Sequence, residues 1–322
     1  MFYRFADIVL QSEVPLRTLP VALSGPAECR VRAVPPGPPG LADERWDHHW
    51  RSSAGAVLLS CARDGDAYRL GMPGLATFLI EGGGGAITCR PHEKLPPATL
   101  EHLLIDQVLP RVLTHCGRLV IHAGCVATLR GAIGFLGHSG AGKSTLCAEF
   151  ASAGHPLLGD DGILVRGTSD TGFEAQATYP GLRLLPDPLR HWFDEPAGAV
   201  PVAHYTEKRR LDRDSGGFTL ATEPEPLRAL YLLDSGPDIE IAPLSGREAF
   251  LALVRASFQL HLGDRERSQG LFETIGAVAD AIPVRRLSYP REWDRLGDVR
   301  EAVLADILSS VSPASSEGCA CS

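Results

Sequence analysis

Gly137-His138-Ser139-Gly140-Ala141-Gly142-Lys143-Ser144 matches the pattern G-x-x-x-x-G-K-[ST] in full. It stands between an apolar run, Ala132-Ile133-Gly134-Phe135-Leu136, and a stretch of helix formers from Ser144 to Ala153. Strand, glycine-rich loop and helix in that order make a phosphate-binding loop. Its backbone N–H groups wrap an anion, and the helix N-terminus faces it. Gly140 and Gly142 give the loop backbone conformations and close approaches that a side chain would forbid. Lys143 is expected to reach the β- and γ-phosphates and Ser144 to ligate Mg²⁺, with the run from Gly137 through Thr145 forming the cradle. Because such a loop binds through its backbone, the His138 side chain is expected to point outward. The reading calls for ATP and Mg²⁺, without a sequence feature that separates adenine from guanine.

The rest of the composition narrows the class. The chain has 322 residues, 44% of them hydrophobic and 22% charged, as in globular proteins with a sizeable core. A formal net charge of −8 argues against nucleic acid as a partner. No apolar run approaches the roughly 18 residues that would span a bilayer, so no membrane role is expected. The start, Met1-Phe2-Tyr3-Arg4-Phe5-Ala6-Asp7, has no secretion-signal pattern, and the expected location is the cytoplasm. Eight cysteines (Cys29, Cys61, Cys89, Cys116, Cys125, Cys147, Cys319 and Cys321) show no zinc-type pairing, and those in apolar runs read as small hydrophobes. The oligomeric state is open, a homo-oligomer included.

Along the chain, short apolar runs recur before residue 97: Ala6 to Leu10, Ala56 to Cys61, Ala67 to Leu70, Ala76 to Ile80 and Ala86 to Cys89. Turn formers such as Arg63-Asp64-Gly65-Asp66 and Gly82 to Gly85 separate them, which predicts a small antiparallel β unit over 1–97. Pro35 to Gly40 reads as an irregular loop, and Trp46-Asp47-His48-His49-Trp50 as packing and surface, with contact to a peptide as the alternative. Leu100 to Thr114 has helical spacing despite Pro110. From Leu119 the pattern is α/β. Strands are predicted at Leu119 to Ala123, on both sides of Asp160-Asp161, at Leu227 to Leu233 and at Val284 to Ser288. Helices are predicted at Gly246 to Leu262, Gln269 to Ile282 and Asp298 to Leu308. A catalytic unit over 98–312 and a mobile tail over 313–322 complete the organisation. The tail's Cys319 and Cys321 are too few to hold a metal alone.

Adjacent carboxylates at Asp160 and Asp161 suit phosphoryl transfer, where one group accepts the acceptor's proton and another stands near Mg²⁺. They repel each other unless a cation intervenes or one is protonated. His122, the loop and Asp160-Asp161 resemble, in order and spacing, the HPr kinase/phosphorylase superfamily. Its Gly-His-x-Leu-x-x-Asp-Asp segment stands here as Gly154-His155-Pro156-Leu157-Leu158-Gly159-Asp160-Asp161. The resemblance implies an HPr-kinase-like core, a PEP-carboxykinase-like mixed sheet with flanking helices. It implies Asp160 as general base, Asp161 and Ser144 near the metal, and His122 near the aspartates and phosphates; from the residues alone, a histidine inside an apolar strand reads equally as a hydrogen-bonded core residue.

Tyr179-Pro180-Gly181-Leu182-Arg183-Leu184 resembles a Pro-Gly-Leu-Arg-Leu element of HPr-kinase-related proteins; the metal-binding glutamate that true HPr kinases carry near this point is absent from it. Glu207-Lys208-Arg209-Arg210-Leu211-Asp212 is the strongest local basic cluster. Arg183, Lys208 and Arg210 are therefore candidate phosphate clamps, against the alternative of solvated charge. Phe5 to Leu16 resembles the opening of kinases encoded with ribosomal peptide pathways, including lasso-peptide kinases. The expected function is an ATP- and Mg²⁺-dependent serine kinase acting on a small protein or precursor peptide. Two other readings stand beside it: a small-molecule kinase of the same fold, and a nucleotide-responsive peptide-binding module without transfer.

Overall fold

The computed structural model describes residues 1–37, 45–52, 54–170, 172–193, 198–211 and 217–310. The expectations for the Cys319-Cys321 tail, for Asp212 and for the end of the proline-rich loop lie outside the described residues. Within them the chain is mixed α/β.

The N-terminal strands are β1 (Phe2–Phe5), β2 (Ile8–Ser12), β3 (Cys29–Ala33), β4 (His48–Arg51), β5 (Val57–Asp64), β6 (Ala67–Met72), β7 (Ala76–Glu81) and β8 (Ala86–Pro91). They form one eight-stranded sheet in the order β1-β2-β3-β8-β7-β6-β5-β4. The expectation of a small antiparallel unit is corrected: β3 runs parallel to both β2 and β8. Neither β3 nor β4 has the long apolar run that marks its neighbours. The pairing of β3 with β8 joins segments far apart in sequence, which local patterns do not encode. Trp46 packs over β6, where a Cβ on Gly71 would lie 2.5 Å from its ring.

A helical segment follows, α1 (Pro97–Leu103) and α2 (Leu109–His115), joined by a π-turn over Leu104–Val108. Pro110 is tolerated because it falls in the first turn of α2, just after the Leu109 N–H has bonded to Leu104 O. The segment buries Leu103, Leu104, Val108 and Val112 against the N-terminal sheet, in a cluster that also takes in Val120, Leu164 and Phe258 from beyond it.

The second sheet contains β9 (Leu119–Ile121), β10 (Gly124–Thr128), β11 (Gly131–Leu136), β12 (Leu157–Gly159), β13 (Ile163–Gly167) and β14 (Phe173–Ala177). A separate three-stranded sheet is made by β15 (Leu182–Leu184), β16 (Val200–Pro201) and β17 (Arg209–Leu211). The long β18 (Glu225–Ser235), then β19 (Glu240–Pro243) and β20 (Val284–Tyr289), complete the second sheet. Its order is β12-β10-β11-β18-β14-β13-β9, with β20 paired to both β18 and β19. β11, β18 and β20 are mutually parallel, and every residue of β11 is buried, as expected of a strand covered on both faces.

On one face lie α3 (Lys143–Ser152), α4 (Pro186–Phe193) and α7 (Leu296–Ser310), packed around Phe135, Phe150, Tyr231 and Val299. On the other lie α5 (Gly246–Ala256) and α6 (Arg265–Ala281), packed through Leu253, Ile275 and Val278. Each fully buried aromatic of that kind contributes about 1.5–3 kcal/mol by leaving water. The helix expected to reach Leu262 ends at Ala256. Ser257 is extended, Phe258 N bonds to Val120 O at 3.0 Å, and Phe258 and Leu260 bury alternate side chains, a strand-like period. Among the described residues no helix is long and apolar enough to cross a membrane.

Candidate active site

Residues Gly137–Gly142 follow the C-terminal end of β11 and lead into α3. In an open sheet with parallel strands, ligands bind outside the carboxyl ends of those strands. Gly142 is left-handed (φ 91°) and caps α3 without a side chain. Lys143 is buried and folds back over the loop, its Nζ donating to Gly137 O at 2.8 Å and His138 O at 3.1 Å. Burial pulls the Lys143 pKa down, while Asp161 and Asp160 pull it up. His138 is exposed, its Nδ1 lying 2.7 Å from Ser139 O, and Ser144 and Thr145 are half-buried at the start of α3.

Asp160 and Asp161 sit in the short link between β12 and β13, where β12 pairs with β10 and β13 with β9. Asp160 is 2% exposed. Its Oδ2 accepts from the Arg183 N–H at 2.8 Å, whereas its Oδ1 is buried with no partner. Burial pushes this carboxyl up to about 6. The Asp161 charge adds to the rise, and Lys208 and Arg183 oppose it. Asp161 behaves in the opposite way: burial would raise it, but the Arg183 guanidinium and the His122 hydrogen bond hold it well below the usual carboxylate range. His122 Nε2 donates to Asp161 Oδ1 at 3.1 Å, and Arg183 donates to Asp161 Oδ2 at 2.7 Å. Two adjacent carboxylates thus acquire different proton affinities from their surroundings, the arrangement that separates acid–base roles.

On sequence Arg183 is a candidate phosphate clamp, with solvated charge as the alternative. The structure instead gives its terminal nitrogens to carboxylates: both donate to Asp106 at 2.5 Å, and one also to Asp161. The guanidinium is 3% exposed. Arg210 lies opposite it on β17, buried, with its stem against Gly181. Lys208 is half-buried at the foot of a loop closed by Val202 N donating to Lys208 O at 3.1 Å, and its charge is felt at Lys143, Asp160 and Asp161. Lysine, carboxylate pair and second lysine therefore converge, with His122 at the edge and Arg210 behind.

Three residues of this region escaped the sequence reading. Asp106 occupies the π-turn, also bonded to His102 at 2.5 Å. It falls within the buried stripe of the helical segment, and a carboxylate on an apolar stripe is the signal that could have marked it. Arg291 and Tyr289 reach the Gly137–Gly142 loop from the end of β20, and no local pattern announces them.

The donor set is hard oxygen, the Ser144 hydroxyl and the aspartates, which suits Mg²⁺ held largely by substrate phosphates and water. Both Asp161 oxygens already have partners, so Asp161 has only further lone pairs to offer a metal or its water shell. A cleft of about 730 Å³ opens elsewhere, lined by Arg63, Tyr68, His115, Asp264 and Arg267 among others, and contains none of these site residues.

No family model matches the sequence, and no curated protein matches it. Among solved structures, the Hpr(Ser) kinase/phosphatase from Coxiella burnetii is similar at 11% identity, over 59% of this chain and 97% of that one, with a TM-score of 0.32. A likeness of that size defines neither the fold nor the site of this chain, which stand on their own strand order and side-chain geometry.

Proposed function

We propose that this chain is an ATP- and Mg²⁺-dependent kinase that transfers the γ-phosphoryl group to a hydroxyl, the acceptor being a serine of a small protein or precursor peptide. The observation that carries the reading is Asp160: a buried carboxylate with one unpartnered oxygen and a raised pKa, electrostatically coupled to the phosphate-loop lysine. A residue of this kind is fitted to take a proton from an incoming hydroxyl. The motif resemblance of His122, the loop and Asp160-Asp161 to the HPr kinase/phosphorylase superfamily supports the same chemistry, and that of Phe5 to Leu16 supports the peptide acceptor.

In this reading the loop amides and Lys143 bind and neutralise the phosphates. Lys208 adds positive charge where charge develops in the transition state. Mg²⁺ arriving with the nucleotide would be held by Ser144 and, directly or through water, by Asp161; it supplies charge neutralisation between the phosphates. His122 and Arg183 keep Asp161 ionised and oriented, which leaves Asp160 as the group free to accept a proton. Catalysis then consists mainly of positioning and electrostatics, as phosphoryl transfer demands.

The test is incubation of the chain with Mg·ATP and the peptides encoded beside its gene, read by intact mass, with free amino acids as parallel acceptors. A peptide should gain the mass of one phosphoryl group, and Lys143→Ala should abolish the gain. A gain on a free amino acid alone would move the acceptor to small molecules. ATP binding with no phosphorylated product of either kind would leave a binding module and overturn the kinase reading.

A further inference from the structure

Arg291 belongs to none of the roles above, yet it lies against the phosphate loop. Its Nη1 donates to Ala141 O, inside the loop, and to Tyr289 Oη at 2.5 Å; its Nη2 donates to Asp234 O at 3.2 Å. The guanidinium also stacks over the Tyr289 ring, 4.4 Å from its centre. A Cβ on Gly142 would stand 2.6 Å from Arg291 Nη1 and 2.8 Å from Tyr289 Oη. The last glycine of the motif is therefore required on its outer face too, where the arginine and tyrosine press against it.

The Ala141 carbonyl and the Gly142 N–H belong to one peptide unit. In a trans peptide the two groups point in opposite directions. With its carbonyl drawn to Arg291, that unit must turn the Gly142 N–H away from Arg291, as a donor free for an anion. The neighbouring loop groups are committed differently: Ala141 N donates back to His138 O at 3.1 Å. Three contacts on separate elements fix Arg291 itself, so the direction of the peptide is set by the ends of β18 and β20 rather than by the loop alone.

We propose that Arg291 is a positioning residue of the nucleotide site: by holding the Ala141 carbonyl outward it aims the Gly142 N–H at the phosphates of a bound nucleoside triphosphate. This rests on the nucleotide-binding reading above. A preset donor binds phosphate without the cost of ordering the loop, so loss of Arg291 weakens binding of phosphate-bearing ligands while leaving the fold in place.

The experiment is titration of the full chain with Mg·ATP and with ADP, comparing wild type, Arg291→Ala and Arg291→Lys. Arg291→Ala is expected to bind about tenfold more weakly, the worth of one hydrogen bond to a charged donor. Arg291→Lys, which keeps a donor for the carbonyl, is expected within about threefold of wild type. Arg291 is exposed, so free guanidinium added to Arg291→Ala should restore much of the lost affinity. A purely structural role would not respond in that way. Wild-type affinity in Arg291→Ala, or a Lys variant as weak as the Ala variant with no guanidinium rescue, overturns the inference while the nucleotide reading stands. A wild-type chain that binds neither nucleotide overturns both.

Discussion

Arg183→Leu tests the architecture of the site in isolation from its chemistry. Arg183 and Asp106 form a bidentate pair with side chains 3% and 5% exposed, and the same guanidinium reaches Asp161. Leucine would leave two carboxylates without their cation, one of them in a nearly dry interior. Breaking a buried pair by removing one partner costs about 3–5 kcal/mol, a large share of the ~5–15 kcal/mol that typically holds a fold together. Urea denaturation at neutral pH should show a loss of that size. Adding Asp106→Leu to Arg183→Leu should recover part of the loss by removing the stranded charge. A cost below about 1 kcal/mol for Arg183→Leu, or a double variant that loses the sum of the two single costs, would show that the buried pair does not hold the site together.

Three further outcomes follow from other parts of the structure. A Cβ on Gly124 would lie 2.6 Å from Cys147 Sγ; Gly124→Ala should cost about 1–3 kcal/mol by pushing α3 off β10, and Cys147→Ala in the same chain should restore thermal stability. Burial pulls both His48 and His115 down to about 4. Their folded pKa values lie below the unfolded ones, so stability is full above about pH 6.5 and falls as pH drops toward 4. The loss should be roughly 1–2 kcal/mol per histidine after allowance for solvent screening. The urea midpoint measured against pH should show this fall, and His48→Gln with His115→Gln should flatten it. Lys208→Ala should slow transfer by on the order of 10²-fold while weakening nucleotide binding less, read as a fall in kcat larger than the rise in KM.

Where the chemistry is local the sequence is informative. The glycine-rich motif Gly137 to Ser144 is a contiguous pattern, and its flanking strand and helix appear at β11 and α3 within a residue of their expected ends. The carboxylate pair is likewise bracketed by two short apolar runs that become β12 and β13. What escaped depends on partners distant in the chain. The parallel pairing of β3 with β8 joins Cys29–Ala33 to Ala86–Pro91, and no period within either run signals it. The pairing of Arg183 with Asp106 is likewise hidden, because the two lie 77 residues apart. Arg291 meets Ala141 across 150 residues, and a lone arginine after a strand carries no mark of that contact. The overlong helix at Gly246 to Leu262 has another cause: the apolar residues continue past Ala256, but their period shifts from that of a helix to that of a strand.

In the proposed reaction Asp160 takes the acceptor's proton beside a loop that binds the nucleotide independently of it. The direct measurement is the rate of phosphoryl transfer from Mg·ATP to acceptor in Asp160→Asn, with nucleotide affinity determined in the same preparation. Asparagine keeps the shape and can still accept the Arg183 N–H, so the site should remain assembled. Wild-type nucleotide affinity is expected, with transfer slowed by about 10²–10⁴-fold. Transfer at the wild-type rate would contradict it.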